Sequence, residues 1–100
     1  MVRALEQQHT QREPAYAVPL QVDRSRAPTY RVVNVGHERL LGLTFCLLGS
    51  GVTPASAPRV LDVGAATDIL IRGDDLARRT VLLIRWFRPS GEEYLWRVSF

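Results

Sequence analysis

The feature that most restricts the fold is the final stretch, residues 80–100, in which two apolar runs flank the tetrapeptide RPSG. Proline at the second position and glycine at the fourth position are typical of a type I turn. If Arg88 faces Glu92 across that turn, Trp86 faces Tyr94, and the pairing of all earlier residues follows. The sequence therefore predicts an antiparallel β-hairpin with a defined register at this end of the chain.

Side chains alternate between the two faces of a strand, so this register sorts the hairpin residues into two sets. One set is almost wholly apolar and includes both tryptophans. Burying a side chain of this size contributes roughly 1.5–3 kcal/mol, which a small domain needs for its core. We predict that this set faces the interior, and an exposed aromatic platform that binds a ligand is the alternative. The set is Leu82, Ile84, Trp86, Tyr94, Trp96, Val98 and Phe100.

The opposite set is too apolar for an ordinary solvated sheet face, because only three charges interrupt it. We predict that it forms a protein interface, either in a homodimer or within a larger protein complex. The alternative is that an N-terminal arm, residues 1–15, or the loop at 49–58 folds over it. The predicted interface residues are Val81, Leu83, Arg85, Phe87, Glu93, Leu95 and Arg97.

Upstream of the hairpin, short β-like segments alternate with turn residues. The first segment is residues 16–22, where Pro19 restricts the strand to a sheet edge, and the second is residues 29–35. Two more follow at 59–63 and 67–71. About seven short strands separated by turns predict an all-β chain folded as an antiparallel β-sandwich with a C-terminal β-hairpin.

The strand near residue 45 and the segment GDDLARR carry more detailed predictions. Strict alternation predicts that Leu41, Leu43, Phe45 and Leu47 share one face of the third strand, with Cys46 on the other face. GDDLARR resembles one helical turn. We predict that Asp74 caps this turn and that Leu76 anchors it to the core.

Composition indicates one domain at residues 16–100, preceded by the N-terminal arm, which has few large apolar residues and is expected to be mobile. All 13 basic residues are arginine, the net charge is only +3, and the arginines are scattered. A lone cysteine, Cys46, and no apolar signal segment predict a cytoplasmic protein without a membrane span.

Two stretches resemble bacterial immunoglobulin-like adhesion and accessory domains. The first is VNVG at 33–36, which is followed by an alternating strand. The second is LDVG at 61–64, which is followed by Ile69 and Ile71. The resemblance implies an immunoglobulin-like sandwich, and it implies little about function because one fold serves many functions.

No residue pattern indicates catalysis. His9, His37 and Cys46 lack the spacing of metal ligands, and GSG at 49–51 lacks the context of a nucleophile elbow. We therefore predict no catalytic, metal or cofactor site, and a non-enzymatic protein-interaction or scaffold module that self-associates. Besides the aromatic platform, the alternative is a nucleic-acid binder. Its candidate residues are Arg24, Arg26, Arg78, Arg79, Arg85 and Arg97.

Overall fold

The computed structural model describes residues 16–100, so the predicted N-terminal arm lies outside the described residues. Within them the chain forms seven strands and one short helix. The elements are β1 (Leu20–Asp23), β2 (Thr29–Asn34), β3 (Leu40–Gly49), β4 (Arg59–Leu61), β5 (Ala66–Leu70), α1 (Leu76–Arg79), β6 (Thr80–Phe87) and β7 (Glu93–Ser99). No helix in this part of the chain is long and apolar enough to cross a membrane.

The strands form two antiparallel sheets, one with the order β1-β2-β5 and one with the order β4-β3-β6-β7. Both sheets contribute to a single hydrophobic core, as in a β-sandwich. The all-β prediction is therefore confirmed. The buried residues of the core are Leu20, Tyr30, Val32, Leu40, Leu43, Leu61, Ile69, Ile71, Leu82, Ile84, Trp86 and Val98.

The C-terminal hairpin has the predicted register. Trp86 is opposite Tyr94 and Leu82 is opposite Val98. The turn is closed by a hydrogen bond from the Gly91 N–H to the Arg88 carbonyl oxygen at 2.8 Å. The predicted interior set is buried or packs against the core, and Trp86 is only 1% exposed.

The prediction for the third strand is wrong at Leu41, because β3 contains a bulge. Leu41 is opposite Phe87 and Thr44 is opposite Arg85, so one extra residue of β3 lies between these two pairs. Gly42 has φ +56, a left-handed conformation that glycine adopts easily. The extra residue moves Leu41 to the face that points away from the core.

The helical turn forms, but Asp74 does not cap it. The N-cap position belongs to Asp75, which is in the left-handed conformation and makes no side-chain capping hydrogen bond. The carboxylate of Asp75 lies 3.9 Å from the Arg79 guanidinium instead. Leu76 packs against the core, as predicted.

Asn34 is a fully buried polar residue at the end of β2. Its side-chain nitrogen donates to the carbonyl oxygens of Glu38 at 2.8 Å and Leu61 at 3.0 Å. Its side-chain oxygen accepts the Gly36 N–H at 3.0 Å, and its backbone pairs with residues 64–65. The two stretches that carry the immunoglobulin-like resemblance therefore meet at this asparagine.

Candidate functional site

The face of the four-stranded sheet that points away from the core, here called the outer face, contains all seven predicted interface residues. Alternation along β6 and β7 puts them there, because their neighbours in sequence pack into the core. Leu95 is 56% exposed. Leu83 and Phe87 are half-buried, and they remain accessible at the surface of the sheet.

The outer face extends over β3, where Cys46 lies on the predicted side, and over β4, whose pairing with β3 the sequence did not predict. Leu48 on β3 is 44% exposed and Val60 on β4 is 54% exposed. Leu41 and Cys46 lie opposite the hairpin residues Phe87 and Leu83. The only sequence signal for this extension was the glycine at position 42, which is typical of a bulge inside a strand.

The outer face carries few charged side chains, and two of them form an ion pair. The Arg85 side chain forms an ion pair with Glu93 at 2.7 Å, and its guanidinium carbon lies 5.1 Å from the centroid of the Phe87 ring. The Phe87 ring also lies so close to Gly42 that a Cβ added there would be 3.0 Å from it. Of the three charges that interrupt the outer face, Arg97 is the one that forms no ion pair with any residue of 16–100.

Two aromatic residues of the hairpin, Trp86 and Tyr94, form a cluster with Tyr16. The Trp86 indole N–H donates to the Tyr16 hydroxyl at 3.1 Å, and the Tyr16 and Tyr94 rings stack with centroids 4.3 Å apart. Burial raises the pKa of Tyr16. Trp86 is buried, while Tyr16 and Tyr94 are partly buried and pack against the core.

Arg88 closes this cluster from the turn of the hairpin. Its guanidinium carbon lies 4.5 Å from the centroid of the Tyr16 ring, within the range of a cation–π interaction. The same group donates two hydrogen bonds to the Glu38 carboxylate, at 2.9 and 3.1 Å. This pairing holds the pKa of Glu38 below its ordinary value and raises that of Arg88.

The arginines of the predicted nucleic-acid site lie on three segments of the chain. Arg24 and Arg26 lie in the connection between β1 and β2, and the Arg24 guanidinium carbon lies 5.9 Å from the centroid of the Phe100 ring. Arg78 and Arg79 are on α1, and Arg79 faces Asp75. The remaining two, Arg85 and Arg97, lie on the outer face.

The other polar groups provide no obvious chemical centre in the part of the chain that the structure describes. A shallow, open depression beside α1 is lined by Ser50, Gly73, Asp74, Asp75 and Arg79. Across residues 16–100, no three His, Cys, Asp or Glu side chains form a group that could hold a metal ion. No protein-family model, curated protein or solved structure matches the chain.

Proposed function

We propose that this chain is a non-enzymatic protein-interaction module that associates with itself through the outer face, as a small accessory or structural subunit. The observation that carries the proposal is the apolar character of that face. Leu48, Val60 and Leu95 are each about half exposed on it. Contiguous exposed apolar patches on a folded domain commonly mark protein interfaces.

The composition of the face fits an interface better than a solvated surface. The inner strand β6 contributes Val81, Leu83 and Phe87 to it, and three charges, Arg85, Glu93 and Arg97, interrupt it. Interface cores are depleted in charge and enriched in aromatic residues and arginine. Arg85 and Phe87, whose side chains lie 5.1 Å apart from guanidinium carbon to ring centroid, bring an arginine and an aromatic residue together on this face.

We assign the domain to the immunoglobulin-like sandwiches as part of this proposal. In that arrangement the third, sixth and last strands share a sheet, and β3, β6 and β7 do so here. The arrangement differs at β4, which pairs with β3 instead of joining the other sheet.

A cytoplasmic location belongs to the same proposal. It is supported by the free, exposed Cys46, because a reducing compartment keeps thiols unpaired.

Light scattering of the purified chain at tens of micromolar tests the proposal. We expect a dimer for the unaltered chain and a monomer for the Leu83→Asp, Phe87→Asp double variant, because two carboxylates would be buried without partners. Val63→Asp is the matched control, since Val63 is exposed and lies outside the outer face. A monomeric unaltered chain, or a dimer that survives both aspartates, rejects the proposal.

A further inference from the structure

We infer that the two copies meet around a two-fold axis that lies between the paired sheets and crosses β7 at Leu95. The inference rests on the proposed self-association and specifies its symmetry. Arg85 is directly opposite Leu95, and Thr44 is directly opposite Arg85. These three residues form one row across the outer face, and the face is self-complementary about this row.

The rows on either side of the central row match one another in chemistry. An axis along the central row exchanges them between the two copies, because a two-fold contact pairs residue i with j and j with i. It brings Leu83 onto the partner's Phe87 and Arg97 onto the partner's Glu93. Apolar groups meet apolar groups, and opposite charges meet. One row contains Cys46, Leu83 and Arg97, and the other contains Leu41, Phe87 and Glu93.

Other positions of a two-fold axis match less well. Moving the axis by one row in one direction stacks Arg97 on the partner's Arg97, and moving it in the other direction stacks Glu93 on the partner's Glu93. An axis that runs along β7 also puts Arg97 on its own copy. An axis parallel to the strands and midway between β3 and β6 avoids like charges, but it places β7 over the partner's β4, where Arg97 and Glu93 meet no opposite charge. At the central row Arg85 meets the partner's Arg85, but each of these already has an ion pair with Glu93 at 2.7 Å.

The dimensions of the face suit this contact. Sheets packed face to face lie about 10 Å apart with strands within about 30° of each other, so the long Arg97 and Glu93 side chains can bridge the gap. The four strands contain 28 residues, and at about 4.8 Å by about 3.4 Å per residue they cover about 450 Å² on each copy. The total of about 900 Å² for two copies is close to the roughly 1,000 Å² expected of a specific interface.

Charge reversal in two separate chains tests the symmetry. One chain carries Arg97→Glu and the other carries Glu93→Arg. Each alone places like charges together twice, so we expect its dimer dissociation constant to rise at least about tenfold. In an equimolar mixture both contacts become attractive again. We therefore expect heterodimers that bind at least about tenfold more tightly than either variant binds itself, measured by analytical ultracentrifugation with one chain labelled.

Arg31→Glu is the control, since it reverses an exposed charge whose ion pair with Asp68 lies on the three-stranded sheet. It should keep the unaltered dissociation constant, and circular dichroism checks that every variant is folded. An unaltered chain that stays monomeric rejects the proposed function itself. An unaltered chain that dimerises while the single reversals do not weaken it, or while their mixture stays monomeric, rejects only this axis.

Discussion

The outward faces of the two sheets differ, although the same alternation produces both. On the three-stranded sheet, Arg31 and Asp68 occupy the middle of the face and form two hydrogen bonds at 2.9 and 3.3 Å. Their side chains are 51% and 48% exposed. The outer face of the four-stranded sheet also has an ion pair, Arg85 with Glu93, but leucine, valine and phenylalanine surround it on β3 and β6. The two faces therefore differ in how much large apolar surface they carry.

This difference teaches that the inward residues determine the fold, whereas the outward residues determine what the fold contacts. Both sheets contribute large apolar side chains to the same core. A solvated antiparallel sheet normally pairs that inner face with a polar outer one, as β2 and β5 do. The four-stranded sheet departs from that rule at Leu41, Leu83, Phe87 and Leu95, although three charges interrupt its outer face, and the proposed partner would account for this composition.

The largest expected effect separates the two faces of the hairpin that β6 and β7 form. Trp86→Ala should lower the free energy of unfolding by about 3–5 kcal/mol, because it leaves a cavity in the shared core. Leu95→Ala on the outer face should cost less than about 1 kcal/mol, as is usual for exposed positions. Urea unfolding at submicromolar concentration, where association contributes little, measures both. Equal losses would contradict the assignment of the two sides.

A second change should make the two outward faces alike. Replacing Arg31 and Asp68 together with leucine removes an exposed ion pair, so stability should change by less than about 1 kcal/mol. The new apolar stripe should drive association beyond the dimer, which light scattering detects. The control is Arg31→Gln with Asp68→Asn, which removes the same ion pair but keeps the face polar. If the leucine variant remains in the same oligomeric state as this control, apolar character alone does not determine association.

The smallest expected effect is a titration on the polar face. The Arg31 guanidinium holds the pKa of Asp68 below its ordinary value through a hydrogen bond and its charge. A lowered folded-state pKa stabilises the fold above the unfolded pKa, and this contribution is lost as the pH falls through the folded value. Carbon-detected NMR should show the pKa of Asp68 rising towards its ordinary value in Arg31→Gln. An unchanged pKa would mean that the ion pair does not persist in solution.

The sequence predicted features that depend on neighbouring residues, such as the hairpin register. It did not predict features that depend on pairing between strands far apart in the sequence. The hairpin register followed from the RPSG turn, so the outer-face residues of β6 and β7 could be identified. Leu41 was assigned to the wrong face because a strict two-residue alternation cannot include the bulge at Gly42. Val60 was missed because nothing near it in the sequence shows that β4 pairs with β3.

Asn34 also determines where the chain tolerates a change in length. Its hydrogen bonds fix the positions of backbone groups in the turns at 35–39 and 62–65. A residue inserted in either turn would therefore separate a donor from its acceptor. At the opposite end, the connection at 50–58 is tied mainly by the pairing of Val52 with Arg72 and by the Gly51 N–H bond to Thr80. Its outer part, from Pro54 to Pro58, is exposed. Tags and grafted peptides therefore belong in that connection, where the chain can lengthen without disturbing either sheet.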